Sequence, residues 1–229
     1  MSAQSVTARA HIAAAYNNKS DRYFAGARFD FIDQLPHDKQ AVILEIGCGS
    51  GETGALALKA GRAGQYIGVE LMERAAGEAK KKLSEVIVGD VEQLTFDWQP
   101  AKFDALILSE VLEHLREPGQ VLKRLSRFVR PGGIVLASSP NISHWRVLRE
   151  LMMGRFPQAD QGVFDRTHLR WFTPSTFAQM FEEAGYQVEH TGPVTAFADR
   201  TRLISKLTWG CFDHLFMSQI SLKAVRRGS

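Results

Sequence analysis

A chain of 229 residues, 45% hydrophobic and 23% charged, is long enough for one sizeable core and has the composition of a globular protein, not a disordered or fibrous one. Its net charge of +3 is too small to imply a nucleic-acid partner, and no run of about 18 apolar residues suggests a membrane span. Cys48 and Cys211 lie far apart without a C-x-x-C spacing, so neither a disulfide framework nor a cysteine zinc site is implied, and with no basic and then apolar leader the expectation is a cytoplasmic protein.

Residues 5 to 16 suit a short helix, and Phe29, Phe31, Ile32 and Leu35 suit a second one stopped by Pro36. Residues 1–36 are therefore expected to be a helical cover, over a ligand or over one face of a sheet. Val42 to Ile46 is an apolar run interrupted by Glu45, and it leads into Gly47-Cys48-Gly49-Ser50-Gly51-Glu52-Thr53-Gly54. Strand, tight loop and helix start follow from that order, with glycines letting the backbone pass close to a nucleoside-bearing ligand. Gly49 to Gly54 fits the dinucleotide pattern G-x-G-x-x-G, whereas Glu45 to Gly51 reads acidic-x-Gly-x-Gly-x-Gly, and both remain open at this point. Gln65 to Glu70 is a second strand, its acidic end 19 positions beyond Gly51 and so able to accept from ribose hydroxyls. The next helix carries Lys80, Lys81 and Lys82, read as a solvated face, and Val86 to Glu92 gives a third strand ending in Gly89-Asp90.

Phe103 to Ser109 is a continuous apolar strand, as a parallel strand buried on both faces should be, and it runs into Glu110-Val111-Leu112-Glu113-His114-Leu115. A helix restarting at Pro118 buries Val121, Leu122, Leu125, Phe128 and Val129; Arg130 to Gly133 breaks it, and Ile134 to Ala137 makes strand five. Residues 142–172 exceed an ordinary connection of about 2 to 6 residues. Their tryptophans and arginines suit a sugar ring or a phosphate, unless Trp145, Leu148 and Leu151 are the buried face of an amphipathic helix. A helix from Pro174 to Ala184 stops at Gly185, Tyr186 to His190 begins a sixth strand, and Ile220 to Val225 alternates like a closing antiparallel strand. Between them Leu203, Leu207, Cys211 and Leu215 form one helical stripe widened by Ile204, Phe212 and Phe216. It suits core, a homodimer contact, or a membrane-surface helix with Arg200, Arg202 and Lys206 toward headgroups. The rhythm predicts an α/β fold in a single domain over 1–229: a doubly wound, Rossmann-like, mostly parallel seven-stranded sheet with an antiparallel last strand.

The ordered series Glu45-x-Gly47-x-Gly49-x-Gly51, Gly89-Asp90-Val91-Glu92, Glu110 to Leu115, Pro131-Gly132-Gly133, Ser139-Pro140-Asn141 and Asp165 to Thr173 spans residues 16 to 192. It resembles the class I S-adenosylmethionine (SAM) dependent methyltransferases, and within them the O-methyltransferase branch associated with glycans and ubiquinone biosynthesis. The resemblance implies SAM as cofactor, with Glu45, Gly47, Cys48, Gly49 and Gly51 around its methionine part and Tyr23 and Arg28 toward its carboxylate. It further implies Glu70 and Leu71 at the ribose, Asp90 and Val91 at the adenine, and Ser109 and Glu110 beside the cofactor. His144, Trp145, Asp165 and Arg170 are expected on the substrate side, with His168 as first and His114 as second candidate base. The implied acceptor is a hydroxyl of a sugar, glycan precursor or other small molecule; a quinone or lipid-like acceptor at a membrane surface is the alternative. Glu45 and Gly89-Asp90 argue against a NAD-type oxidoreductase, and a non-catalytic SAM-binding protein stays open. Glu110, Glu113 and His114 would share one face if helical, and with His168 could surround magnesium as in some relatives; others carry the same string without a metal, so no metal is assigned.

Overall fold

The computed structural model describes residues 26–228; the expected helix over 5–16 and Tyr23 lie outside the described residues. In chain order the elements are α1 (Phe29–Ile32), β1 (Val42–Ile46), α2 (Glu52–Lys59), β2 (Gln65–Glu70), α3 (Glu73–Ala79), β3 (Glu85–Val88) and β4 (Phe103–Ser109). There follow a 3-10 turn (Leu112–His114), α4 (Pro118–Ser126), β5 (Val129–Pro140), α5 (Trp145–Met152), α6 (Pro174–Glu183), β6 (Tyr186–Pro193), α7 (Asp199–Leu207), a second 3-10 turn (Asp213–Leu215) and β7 (Gln219–Arg226). The strands form one seven-stranded sheet in the order β3-β2-β1-β4-β5-β7-β6. β1 and β3 pair parallel with β2, and β7 pairs antiparallel with both β5 and β6, as expected for the Rossmann-like arrangement. By compactness the chain divides into residues 1–107 and 108–229.

In the first unit Ile43, Leu44 and Ile46 of β1 are buried together with Tyr66, Ile67 and Val69 of β2. α2 lies close to its neighbours because Gly54 has no side chain: a Cβ there would stand 2.4 Å from Leu83 and 2.5 Å from Tyr66. Lys80 and Lys81 are exposed as expected, whereas Lys82 departs from the solvated face. α3 ends at Ala79, and the chain turns so that Lys82 Nζ donates to the Ser50 carbonyl at 2.8 Å and to Glu52 Oε1 at 2.7 Å.

In the second unit Pro118 opens α4, which buries Val121, Leu122 and Leu125. β5 starts earlier than expected, at Val129, whose carbonyl accepts from the Arg226 guanidinium of β7; the paired register with β7 begins at Ile134. α6 carries a reciprocal cap in which Thr173 Oγ1 accepts from Thr176 N–H and Thr176 Oγ1 accepts from Thr173 N–H. Two expectations fail. In α5 Val147 is buried, whereas Trp145 and Leu151 are each 42% exposed, so the proposed buried face does not form; the last turn projects into solvent. The long stripe from Leu203 to Leu215 is not one helix either, because Trp209 (φ 51°) and Gly210 (φ 76°) take left-handed conformations that end it. Leu203, Leu207 and Phe212 are consequently exposed rather than core.

Candidate functional site

The first constellation sits at the carboxyl ends of β1 and β2. Gly47, Gly49 and Gly51 have φ of 71°, 53° and 81°, so alternate residues of the loop occupy a region that side chains disfavour. Gly47 and Cys48 N–H both donate to the Val69 carbonyl, and Gly49 N–H donates to Glu70 Oε2 at 2.9 Å. Glu70 Oε1 accepts from Met72 N–H at 2.9 Å, so one buried carboxylate ties the loop to the end of β2. Burial raises the Glu70 pKa against the lowering effect of these backbone donors. Glu45 is 3% exposed and accepts from the Tyr66 hydroxyl at 2.9 Å. Desolvation lifts its pKa to about 8; the Tyr66 hydrogen bond lowers it, the Glu70 charge raises it, and Arg28 lowers it. A buried acid thus stands beside a glycine loop whose backbone takes conformations that side chains disfavour.

Beside it, Asp90 Oδ1 accepts from Glu92 N–H at 2.9 Å and Asp90 Oδ2 from Gln93 Nε2 at 3.1 Å, which shapes the turn after Gly89; Val91 is buried there and Leu71 half-buried. Cys48 is buried, and burial pushes its thiol above the usual range. The Arg28 guanidinium grips Asp30 through Nε at 2.9 Å and Nη2 at 2.7 Å and lies 3.9 Å from the Phe31 ring centre. A cofactor carboxylate would have to compete with that pair.

The second constellation joins the turn after β4 to the segment 163–170. The Glu-x-x-Glu-His string is not α-helical: Glu110 takes φ 53°, and only Leu112 to His114 coil, as a 3-10 turn. Glu110 Oε2 accepts from Gln219 Nε2 at 3.2 Å; Ser109 next to it is half-buried. The Glu113 carbonyl accepts from Leu169 and Arg170 N–H, which binds the two segments backbone to backbone. Glu113 is 1% exposed, and among the described residues its carboxylate oxygens have no hydrogen-bond partner of good geometry. Burial first, and then the Glu110 charge, hold its pKa well above the usual carboxylate range. His168 Nδ1 lies 3.2 Å from the Val163 carbonyl, and His114 Nδ1 lies 3.2 Å from the Thr167 carbonyl. A carbonyl can only accept, so Nδ1 is the donor in each contact, and the neutral form of each ring has its lone pair on Nε2. One ligand atom from each of Glu113, His114 and His168 lies within 4.8 Å of the others, and the two rings meet edge to face at 4.7 Å. Two imidazole lone pairs and a carboxylate are a donor set suited to a divalent cation, and equally to taking a proton from a hydroxyl.

Other expected substrate-side residues are otherwise engaged. Asp165, 2% exposed, accepts Thr167 N–H at 2.9 Å and the Thr167 hydroxyl at 2.7 Å. Thr167 Oγ1 in turn lies 3.1 Å from His114 Nδ1, so Asp165 acts on the histidine rather than on solvent. Arg170 donates through Nε to the Arg116 carbonyl at 2.9 Å and pairs with Glu117. His144 caps α5 by accepting Arg146 N–H on Nδ1, and Trp145 is exposed with Arg146 near its ring face. Tyr66, Lys82 and Thr167 were not anticipated. A tyrosine inside an apolar strand was the available signal for Tyr66, since its buried hydroxyl needs a partner.

A family model described as a methyltransferase domain matches residues 17–191. The chain is 30% identical over 171 residues to a ubiquinone biosynthesis O-methyltransferase of Dechloromonas aromatica, covering 71% of each chain. It is 26% identical over 200 residues to the protein of the same name in Coxiella burnetii, covering 82% of this chain and 83% of that one. A crystal structure of a SAM-dependent methyltransferase from Archaeoglobus fulgidus superposes with a TM-score of 0.61 at 19% identity, over 90% of this chain and 97% of that one. The dinucleotide reading of the glycine loop has no support among them.

Proposed function

Because the chain belongs to the class I SAM-dependent methyltransferases, we propose that it transfers a methyl group to a hydroxyl of a small molecule, on a sugar or a comparable hydroxylated ring. SAM supplies a methyl on a sulfonium, a cationic leaving group that needs an oxygen nucleophile in line behind it. Glu45 and the loop Gly47 to Gly51 would hold its methionine part, Glu70 the ribose, and Asp90 and Val91 the adenine. His168 takes the acceptor proton on Nε2, while the Val163 carbonyl fixes the tautomer from Nδ1. Such a base is typically worth about 10² to 10⁴ in rate. The orientation of His168 beside Glu113 and His114 is the observation that carries this reading, and the printed name of the relatives supports oxygen as the atom methylated.

A second reading shares the residues: the convergence of Glu113, His114 and His168 within 4.8 Å would hold a divalent cation that polarises the acceptor. Activity on fractionated metabolites with labelled SAM separates the two. Under direct base catalysis His168→Ala lowers turnover by about 10² or more, SAM affinity is unchanged, and chelators have no effect. Under metal catalysis, chelation, His168→Ala and Glu113→Ala are about equally damaging. Full activity of His168→Ala would sink both.

A further inference from the structure

Lys82, the lysine that leaves the solvated face, meets the glycine loop at the point where that loop is easiest to deform. Gly49 and Gly51, with φ of 53° and 81°, flank Ser50, so neither neighbour has a side chain to hold the peptide units between them. The Ser50–Gly51 peptide is planar, and reversing it would carry its carbonyl and its N–H together to opposite faces of the loop. Both groups are held. Gly51 N–H donates to the Cys48 carbonyl at 2.9 Å, and the Ser50 carbonyl accepts from Lys82 Nζ at 2.8 Å.

Lys82 reaches that carbonyl from a fixed base. Two residues on, Ser84 N–H donates to the Tyr66 carbonyl at 3.1 Å and Ser84 Oγ accepts from Tyr66 N–H at 3.0 Å, which fastens the turn after α3 to β2. The same turn packs against the loop: a Cβ on Gly51 would stand 3.2 Å from Leu83 Cγ and 3.1 Å from Ala79 Cα. A cation at the Ser50 carbonyl lies by the positive end of α2, an unfavourable place that Glu52 in the first turn of that helix offsets by accepting from Nζ at 2.7 Å. Lys81 is the contrast. It pairs with Glu78 three positions back, the two side chains 67% and 54% exposed against 29% for Lys82, and such a solvated pair contributes little.

We propose that Lys82 is a positioning residue for the cofactor: it locks the Ser50–Gly51 peptide against reversal, so that the loop meets SAM in a single conformation. The bearing on SAM rests on the proposed placing of its methionine part along Gly47 to Gly51; the lock on the loop does not. If the loop without its lysine keeps that conformation only about a tenth of the time, the apparent affinity falls about tenfold while turnover at saturating SAM is retained.

The test compares Lys82→Met, which keeps a long side chain but removes its charge and donors, with Lys82→Arg, which keeps both, and with Lys81→Met. Calorimetry with SAM should give a Kd weakened about tenfold in Lys82→Met, mostly recovered in Lys82→Arg and unchanged in Lys81→Met. In steady-state kinetics the loss should fall on the KM for SAM and not on kcat. In protein without ligand the Gly51 amide should exchange its hydrogen about tenfold faster in Lys82→Met and at the wild-type rate in the other two. A lowered Tm with SAM affinity and Gly51 exchange both unchanged would reduce Lys82 to a surface ion pair and overturn the proposal. A wild-type chain that binds no SAM, in a series where Lys82→Met still frees the Gly51 amide, would overturn the cofactor assignment of the loop and leave the lock standing.

Discussion

At the scale of single residues, Glu45 sets a measurable pH dependence. Burial holds its folded pKa near 8 against an ordinary 4.5, so its favourable contribution to stability is complete below about 4.5 and is lost as pH rises through about 8. Thermal denaturation of the free protein across that window should slope downward with pH, and Glu45→Gln should flatten part of the slope. If the SAM ammonium sits beside Glu45, binding ionises the carboxyl and releases a proton. Calorimetry in buffers of different ionisation enthalpy should show that release at neutral pH, and Glu45→Gln should lose it together with roughly 1.5 to 3 kcal/mol of affinity. A wild-type protein that binds SAM without proton release would remove Glu45 from the cofactor site. Glu45 itself was legible, because an acid inside an apolar run before a glycine cluster stands out. Lys82 was not: its partners Ser50 and Glu52 lie some thirty positions away, and only the turn after α3 brings its ammonium onto them.

Among elements, the strands bounded by sharp changes of polarity could be read to the residue, as β2 and β4 show. The start of β5 could not, since Arg130-Pro131-Gly132-Gly133 has the composition of a breaker, with Gly132 at φ 75°, and yet lies within the strand. The turn at Glu110 to His114 likewise escapes periodicity, which distinguishes helix from strand but says nothing of a left-handed residue at a strand end. Packing of α2 offers a direct check. Gly54→Ala would place a methyl group 2.4 Å from Leu83 and 2.5 Å from Tyr66, and overpacking of this kind costs about 1 to 3 kcal/mol. The expected outcome is a Tm lowered by several degrees, with SAM affinity falling as well because Tyr66 holds Glu45. An unchanged Tm would show that Leu83 gives way without cost.

For the whole molecule, alternation of strands and helices together with the antiparallel closing strand foretold the sheet, because a parallel strand order of this type follows from chain rhythm. The exposure of Leu203, Leu207 and Phe212 was harder to foresee, since an apolar stripe is by default assigned to a core and exposure is decided only by what else packs there. The long segment between β5 and α6 was recognised by its length, and the structure adds how it is closed. Ile142 N–H donates to the Phe172 carbonyl at 3.0 Å, and Asn141 bridges to Phe172, so thirty residues leave and return at one point. Lengthening such a loop is cheap, about 0.6 kcal/mol for each doubling of a flexible loop. Four glycine and serine residues inserted between the exposed Pro157 and Gln158 should therefore lower Tm by no more than a degree or two. A large drop would mean that the far end of the loop is part of the fold's foundation. The segment is not held at that joint alone: the Glu113 carbonyl accepts from Leu169 and Arg170 N–H, so its returning limb is pinned to the turn after β4 while the stretch around Pro157 and Gln158 stays exposed. Length can therefore change at the far end without disturbing the end that carries His168.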